Sequence, residues 1–286
     1  MVTTGQRRAV VIDACTRREL AERCACRYVG VHRALVRYRP RREPQEALRA
    51  RLRELAVAKP RWGSPRLTWR LRRDGWPVNH KRIERLVREE HLLVGQRPRR
   101  KRVAVARVPA PVPTRPDERW SMDFVRDTLA DGRPYRIWTL VDDATRECPL
   151  LVVQRSLPAA RVVEALATLL LVRGTPRAIV CDNGPEFVSQ ALDQWADDHG
   201  IRLDFIRPGR PVENCFVESF NGKLRDECLN THHFTTLAEA QQHIEAWRVE
   251  YNTERPHLGL DQQTPAEFAA LFTTEEDGAS LTTFRC

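Results

Sequence analysis

The stretch RPVENCFVESFNGKLRDECLN, residues 210–230, decides how the rest of the chain is interpreted, because its pattern predicts a loop that runs into a helix. Four polar side chains recur in it at spacings of four, three and four residues: Asn214, Glu218, Asn221 and Arg225. This spacing predicts one polar helical face, with Phe216 and Phe220 on the opposite flank as contacts to a core. A carboxylate and a guanidinium on one face suit a metal ion beside a phosphate. An isolated helix of this kind is more often a solvated surface, so the interpretation depends on two stretches upstream.

Both upstream stretches place an aspartate in a strand or directly after one. CDNGPEF at 181–187 follows a short apolar run, so Asp182 is predicted at the carboxyl end of a buried strand. Open α/β sheets bind their ligands at that end. WSMDFV at 120–125 predicts a strand with the single acid Asp123, and a buried carboxylate is costly unless it is paired or functional. Between Asp182 and Glu218 lie 35 residues.

Asp123, Asp182 and Glu218 resemble the Asp, Asp-35-Glu pattern of the retroviral-integrase superfamily. The sequence motifs around these residues are similar to those of the second-reading-frame protein of the IS-three family of bacterial insertion-sequence transposases. They are WSMDFV, CDNGPEF, PGRPVENCFVESFNGKLRDECLN and, near the end, YNTERPH at 251–257 and TPAEF at 264–268. The resemblance implies a ribonuclease-H-like catalytic core in a DNA transposase that cleaves DNA strands and transfers them.

The resemblance also implies that these three acids are the catalytic and metal-binding residues. Three carboxylates without a convincing Cys or His ligand favour a hard ion, Mg²⁺ or Mn²⁺. Two such ions can clamp the attacking and leaving oxygens of an in-line displacement. Asp123 is expected to bridge the two ions, with Asp182 on one and Glu218 on the other. Four further acids are expected to serve the fold instead. Glu213 would face away from the metals on the helix of Glu218, Asp142 and Asp143 would make turn or salt-bridge contacts, and Glu186 would lie in the first turn of the helix after Asp182.

Charge divides the chain into a basic and an acidic part. The 286 residues have a net charge of +10, but residues 1–118 hold 31 Lys and Arg against 12 Asp and Glu, and the remainder hold 17 against 26. This division predicts nucleic-acid contact through the first part. Arginine supplies 44 of the 48 basic residues. Codon usage explains arginine in place of lysine, but it does not explain the division.

Other features of composition predict where the protein resides. Eight scattered cysteines fit reduced thiols better than a disulfide framework. No apolar run approaches the length of a membrane span, and the amino terminus lacks the apolar centre of a signal peptide. We therefore expect a cytoplasmic protein without a membrane partner, and the resemblance implies that it is bacterial and nucleoid-associated.

The chain is predicted to fold as an α/β catalytic core preceded by a small basic all-helical region that resembles a helix-turn-helix. The five predicted regions are a basic helical region at 1–58, a helix-turn-helix-like DNA-binding unit at 59–94, a Pro- and Arg-rich linker at 95–117, the integrase-type core at 118–272 and a tail at 273–286. Residues 7–36 are expected to form a small structural cap, with a helix-turn-helix remnant as the alternative. In the helix-turn-helix-like unit, Ser64 is the expected N-cap of the first helix and Asn79 that of the second.

The side chains expected to contact DNA lie in three places. They are Asn221, Lys223 and Arg225 beside Glu218, Arg99, Arg100, Lys101 and Arg102 in the linker, and Arg70, Lys81, Arg82 and Arg85 in the helix-turn-helix-like unit. Phosphate contacts position a protein without specifying sequence, so we expect this chain alone to bind duplex DNA with little preference for its element's ends. The resemblance implies further partners, namely element ends and target DNA, other copies of the chain on that DNA, and an upstream-frame protein or a fusion with it.

Two alternatives remain open at this point. A ribonuclease-H-type nuclease would use the same metal chemistry, although it would not need the basic first part. An inactive DNA-binding derivative of a transposase would need no catalytic acids, and the presence of all three argues against it.

Overall fold

The computed structural model describes residues 3–38, 45–92, 113–184, 186–207 and 211–272. The chain divides into two compact units, residues 1–51 and 52–286. The division falls inside the helix Glu46–Ala58, whereas the predicted boundary falls at the end of that helix. The predicted basic run of the linker, Arg99 to Arg102, and the predicted tail lie outside the described residues.

The first unit is built from short helices, as predicted for residues 7–36. They are α1 (Thr4–Arg17), α2 (Glu22–Val29) and α3 (Arg33–Arg37), and the unit also contains the start of α4 (Glu46–Ala58). Thr3 and Gln6 form a capping box at the start of α1. Val11 of α1 and Ala25 and Cys26 of α2 are the buried residues of a small apolar core.

Two helices of the second unit precede the sheet: α5 (Ser64–Arg73) and α6 (His80–Glu89). Asn79 accepts a hydrogen bond from the backbone amide of Lys81, which confirms it as the N-cap of α6. Ser64 is the first residue of α5 and not its N-cap, because Gly63 holds the extended backbone conformation that precedes the helix. Gly75 has φ +85°, a conformation in which glycine pays no steric penalty, and it follows the end of α5.

The core is a five-stranded mixed sheet in the order β3-β2-β1-β4-β5. Its strands are β1 (Arg119–Thr128), β2 (Pro134–Asp142), β3 (Leu150–Gln154), β4 (Ala178–Cys181) and β5 (Arg202–Phe205). The pairs β1–β2 and β2–β3 are antiparallel, and β1–β4 and β4–β5 are parallel. Three antiparallel strands followed by alternating helices and strands confirm the predicted α/β class.

Four helices cover the two faces of the sheet. They are α7 (Ala159–Arg173), α8 (Gln190–Asp198), α9 (Cys215–Glu227) and α10 (Leu237–Thr253). Met122 of β1 lies in the apolar layer with residues of α7 and α8, and Val125 lies in the layer with residues of α9 and α10. Since side chains alternate along a strand, Asp123 lies on the α9 face. The turn His199-Gly200 leads into the amino end of β5. It therefore lies at the edge of the sheet opposite the carboxyl ends of the parallel strands β4 and β5.

Candidate active site

The parallel pairing of β1 and β4 brings two predicted acids to the same level of the sheet. Ser121 pairs with Val180, and Asp123 and Asp182 each lie two residues further along in the same direction. Asp182 directly follows the last residue of β4, as the sequence predicts. Its Oδ1 accepts a hydrogen bond of 3.1 Å from the backbone amide of Gly184, which fixes the turn after the strand.

Asp123 is held by a chain of hydrogen bonds that reaches across two strands and α9. Its Oδ1 accepts from the backbone amide of Phe124 at 2.7 Å, and its Oδ2 accepts from Nδ2 of Asn221 at 2.9 Å. Oδ1 of Asn221 in turn accepts from the hydroxyl of Thr139 at 2.9 Å. Thr139 is the direct cross-strand partner of Asp123. Asn221 is buried, and both the nitrogen and the oxygen of its amide therefore form hydrogen bonds inside the protein. The nitrogen donates to Asp123, the carboxylate that the sequence predicts at the centre of the site.

Helix α9 presents the third acid. Glu218 lies in its first turn and is exposed, while Asn221, almost one turn later, faces the sheet. Asn214 precedes the helix and is buried, and its Nδ2 donates to the backbone oxygen of Met122 at 3.2 Å. The four polar residues predicted to share one face are thus divided: Asn214 and Asn221 face the strands, and Glu218 and Arg225 face solvent.

The electrostatics of Asp123 show that the three acids lie near one another. Burial is the main cause that raises the pKa of Asp123 from 3.8 to about 6, and the negative charges of Asp182 and Glu218 raise it further. The hydrogen bonds from Phe124 and Asn221 act in the opposite direction. Burial also raises the pKa of Glu218 above its ordinary value. Folding therefore brings like charges together at one edge of the sheet, which costs free energy in the absence of a cation.

Other acids of the core have arginine partners. Arg119 donates to Asp143 at 2.6 Å, and Arg173 lies 3.7 Å from Asp142. Asp142 also accepts from the backbone amides of the turn after β2, which confirms the predicted turn and salt-bridge roles of this pair. Glu186 pairs with Arg136 in the turn before α8, whereas the sequence predicts it in the first turn of that helix.

Glu213 is also paired, for a reason other than the one predicted from sequence. It lies in a 3₁₀ turn before α9, not within the helix, and accepts from the backbone amide of Arg207 at 2.9 Å and from its Nε at 2.7 Å. By contrast, within the described ranges no Lys or Arg forms an ion pair with Asp123, Asp182 or Glu218.

The donor set of this site fits a hard divalent cation, since it consists of carboxylate oxygens without a positive partner. Across the part of the chain that the structure describes, no three His, Cys, Asp or Glu side chains are drawn together in metal-binding geometry. The negative charges of Asp182 and Glu218 repel that of Asp123. A cation would remove that repulsion and supply the missing charge.

The residues predicted to contact DNA have different surroundings. Asn221 is bonded inside the protein, as described above. Lys223 is partly buried with its Nζ 5.8 Å from the centre of the Tyr251 ring, and burial, with the nearby charge of Arg255, lowers its pKa to about 8. Arg225 is exposed on α9. The structure therefore leaves Arg225 as the predicted contact on α9 that faces solvent.

Basic side chains of residues 59–73 dock the helix-turn-helix-like unit on the core. Five pairs join the two: Lys59–Glu250, Arg61–Asp226 at 3.0 Å, Arg66–Glu227 at 3.2 Å, Arg70–Glu254 at 3.0 Å and Arg73–Glu267. Arg70, a predicted DNA contact, is therefore engaged with carboxylates of the core and of its own helix. Helix α6 differs, because Lys81 and Arg82 are exposed and form no ion pair with any described residue, while Arg85 pairs with Glu89 of its own helix.

Two features of the site were not assigned from sequence. Thr139 has no distinguishing signal, because only the register of β1 on β2 places it opposite Asp123. Arg255, inside the YNTERPH motif, is 2% exposed and donates through Nε and an Nη to both oxygens of Glu227, at 2.8 and 2.7 Å. Its motif could have drawn attention to it, but its partner could not be read from spacing.

Comparisons with known proteins agree with this arrangement. Residues 113–211 and 199–265 match two models described as integrase core domains, and residues 43–102 match an HTH-like domain. A 31.7 kDa protein of insertion element IS407 from Burkholderia multivorans is 46% identical over 252 residues, which cover 88% of this chain and 91% of that protein. A putative transposase of insertion sequence element IS150 from Escherichia coli is 27% identical over 223 residues, which cover 73% and 77% of the two chains.

Among solved structures, an intasome of simian T-cell lymphotropic virus in complex with a PP2A regulatory subunit contains a similar chain. Its TM-score is 0.49 at 16% identity, and the match covers 76% of this chain and 74% of that one. None of the described helices combines the length and apolar character needed to cross a membrane.

Proposed function

Since this chain belongs to the IS-three family of insertion-sequence transposases, with an integrase core and a helix-turn-helix-like domain, we propose that Asp123, Asp182 and Glu218 catalyse DNA strand cleavage and strand transfer. The observation that supports this most is the contrast in partners. The other core acids described above pair with arginine, whereas these three have no arginine or lysine partner among the described residues. Carboxylates without a positive partner that lie near one edge of a sheet form a site that a cation and a phosphate can complete.

We propose Mg²⁺ or Mn²⁺ as the cofactor, as two ions that Asp123, Asp182 and Glu218 would hold. Bound there, the metal would lower the pKa of a water or a DNA 3′-hydroxyl and stabilise the charge of the leaving oxygen. This chemistry needs no covalent bond between protein and DNA.

The protein's own contribution is to place and orient these oxygens. Asn221 and Thr139 fix the rotamer of Asp123, so its free lone pairs keep one direction. Arg225 lies seven residues after Glu218, two helical turns along α9, and we propose that it binds a phosphate near the scissile bond. Helix α6, with Lys81 and Arg82 exposed, is the second helix of its pair and the one that we propose to lie on the duplex.

The proposed DNA partners are the ends of the element and a target duplex, bound by more than one copy of the chain. We also keep the proposal that specific transposition uses the upstream-frame protein or a fusion with it. Competition between terminal-repeat duplexes and scrambled duplexes, with and without that protein, measures its contribution.

The proposed activity is tested by a strand-transfer assay with labelled terminal-repeat duplexes in MgCl₂. Wild type should yield joined products, and Asp123→Ala, Asp182→Ala and Glu218→Ala should each lower cleavage and joining at least about a thousandfold, since metal clamping supplies several kcal/mol. Duplex binding should persist in all three variants. Glu164→Ala is the matched control, because Glu164 is an exposed acid on α7 whose ion pair among the described residues is with Arg161 of the same helix.

Two outcomes would contradict the proposal in different ways. Near-normal Mg²⁺-dependent joining by one of the three variants would remove that residue from the site. Cleavage without joining by wild type would favour the nuclease alternative.

A further inference from the structure

The first unit contains a second pair of helices joined by a tight turn. Helix α2 ends at Val29, Gly30 adopts a left-handed conformation with φ +69°, and α3 begins at Arg33. The amides of Gly30 and Val31 both donate to the carbonyl oxygen of Cys26. His32 caps α3 by accepting a hydrogen bond from the amide of Ala34 through Nδ1 at 3.2 Å. Two helices joined by a three-residue turn that begins with a left-handed glycine correspond to a helix-turn-helix.

Helix α1 supports this pair from behind, because each of the three helices packs against the other two. The core is small: Val11, Ala25 and Cys26 are buried, and Val29 and Val36 pack against them. Arg23, Arg27 and Tyr28 of α2 and Arg33 and Arg37 of α3 are exposed. This is the arrangement in which a helix-turn-helix presents its second helix to DNA.

The exposed surface of this pair is basic. Residues 3–38 contain 8 Arg against 3 Asp and Glu. Arg23 and Arg27 lie one turn apart on α2, exposed, and neither forms an ion pair with a described residue. Tyr28, beside them, is 85% exposed, which is unusual for so large an apolar ring.

A carboxylate orients the two arginines of α3. Oε1 of Glu22 accepts from Nε of Arg33 at 3.0 Å and from Nε of Arg37 at 2.9 Å. These bonds use the inner nitrogen of each guanidinium, and the outer two make no bond to the part of the chain that is described. Outer guanidinium nitrogens are the groups that bind phosphate oxygens or the major-groove edge of guanine in pairs. Fixing the arginines in advance lowers the entropy lost when they bind.

We propose that residues 3–38 are a second duplex-DNA-binding unit, with α3 in the major groove through Arg33 and Arg37 and α2 on the phosphates through Arg23 and Arg27. The proposal rests on the proposed function only for the class of ligand. It replaces the expected structural cap. It also revises the expectation of little sequence preference, because base contacts by α3 would add a preference that phosphate contacts do not give.

The test measures binding of the full-length chain to a labelled 24-base-pair duplex of mixed sequence by fluorescence anisotropy over a series of salt concentrations. Removing two phosphate contacts with Arg23→Ala and Arg27→Ala should reduce the slope of log affinity against log salt by about two. Arg33→Ala with Arg37→Ala should weaken binding roughly tenfold or more at fixed salt. Arg7→Ala with Arg18→Ala removes the same charge outside the turn pair and should change the slope by less than about half a unit.

Circular dichroism and thermal melting of each variant show whether the first unit has kept its helices. Arg23 and Arg27 have no partner among the described residues, so their removal should leave the melting curve unchanged, and this pair remains informative if Arg33 and Arg37 prove necessary for folding. Wild-type slope and affinity in the Arg23 and Arg27 pair would overturn the proposal. Strand transfer in MgCl₂ on the same preparations is scored separately, so absence of joining by wild type would overturn the proposed function and leave the binding result in force.

Discussion

The two ends of α9 carry carboxylates in opposite circumstances. Near its start, Glu218 is exposed and lies within electrostatic range of Asp123, with no arginine or lysine paired to it among the described residues. At its end, Asp226 and Glu227 are paired, the first with Arg61 and the second with Arg66 and the buried Arg255. One helix thus connects a site whose carboxylates have no arginine or lysine partner among the described residues to an interface whose carboxylates are paired with arginine.

This difference separates acids that hold the fold together from acids that are available for chemistry. A buried ion pair fixes one arrangement, and removing one partner leaves an uncompensated charge. Unpaired carboxylates lower stability and persist where a function uses them. The docking pairs also attach the helix-turn-helix-like unit to the helix that carries Glu218, so a duplex bound to α6 would be held at a fixed distance from the candidate active site.

The largest effect on stability is expected at the paired end of α9. Glu227→Ala leaves Arg255 buried without its carboxylate and should lower the free energy of unfolding by about 3–5 kcal/mol. Urea unfolding followed by fluorescence measures this change. Arg73→Ala is the matched control from the same interface, and because its pair is exposed it should cost less than about 1 kcal/mol. Equal losses in the two variants would remove the distinction between a buried and a peripheral docking pair.

The unpaired end should respond to pH in the absence of metal. The pKa of Asp123 rises from 3.8 to about 6 on folding, so its contribution to stability is present below pH 3.8 and is lost as pH rises through 6. Asp123→Asn removes the charge and should be more stable than wild type by about 1–3 kcal/mol at pH 8, and nearly equal to it at pH 3.5.

Thermal melting across pH, in buffer with EDTA, measures this difference. Added MgCl₂ should narrow it at pH 8 by stabilising wild type alone. If wild type were as stable as Asp123→Asn at pH 8 without metal, repulsion among the three acids would not lower the stability of the folded protein.

Asn221 lies on α9 between the paired and the unpaired end and holds Asp123 in place. Its substitution therefore tests how the helix orients the carboxylates of the unpaired end. Asn221→Ala should lower strand transfer by roughly 10–100-fold, the range for a group that orients a metal ligand. Its hydrogen bond lowers the pKa of Asp123, so its loss should also move the acid limb of the pH–rate profile to higher pH. Gln194→Ala removes an exposed amide from α8 and serves as control. A lower rate with an unmoved acid limb would restrict Asn221 to a role in folding.

The smallest effect, a change in the salt dependence of duplex binding, is expected from substitutions in the two helices of the helix-turn-helix-like unit. Lys81→Ala with Arg82→Ala should reduce the salt slope of duplex binding by about two, because these side chains are free to bind phosphates. Arg70→Ala with Arg73→Ala removes the same charge from side chains already paired with the core and should change the slope by less than about one. A larger change for the second pair would mean that DNA displaces the core carboxylates.

Sequence patterns predict the strand around Asp123, the strand that ends before Asp182 and the helix that carries Glu218, because turns, apolar runs and strand lengths are local properties. They also single out Asp123, Asp182 and Glu218, which the fold brings near one another. They fail where partners are distant along the chain. The spacing that predicts one polar face on α9 contains no sign that Asn221 would turn toward Thr139 of β2.

Arginine at helical spacing is similarly ambiguous. Arg70 and Arg82 have the same local pattern, yet one lies against a core carboxylate and the other faces solvent. Only tertiary packing decides between them. The same limit applies to residues 7–36, where short apolar runs predict helices but not the turn geometry at Gly30.

The turn His199-Gly200, at the amino end of β5, offers a route to engineering. It lies at the edge of the sheet opposite Asp182, and Gly200 is exposed with φ +65°. A peptide inserted there would keep the hydrogen bonds within α8 and those between β4 and β5. It would also project away from the carboxylates. A fusion partner placed at this turn, such as a programmable DNA-binding module, would therefore extend from the edge of the sheet that does not carry Asp182.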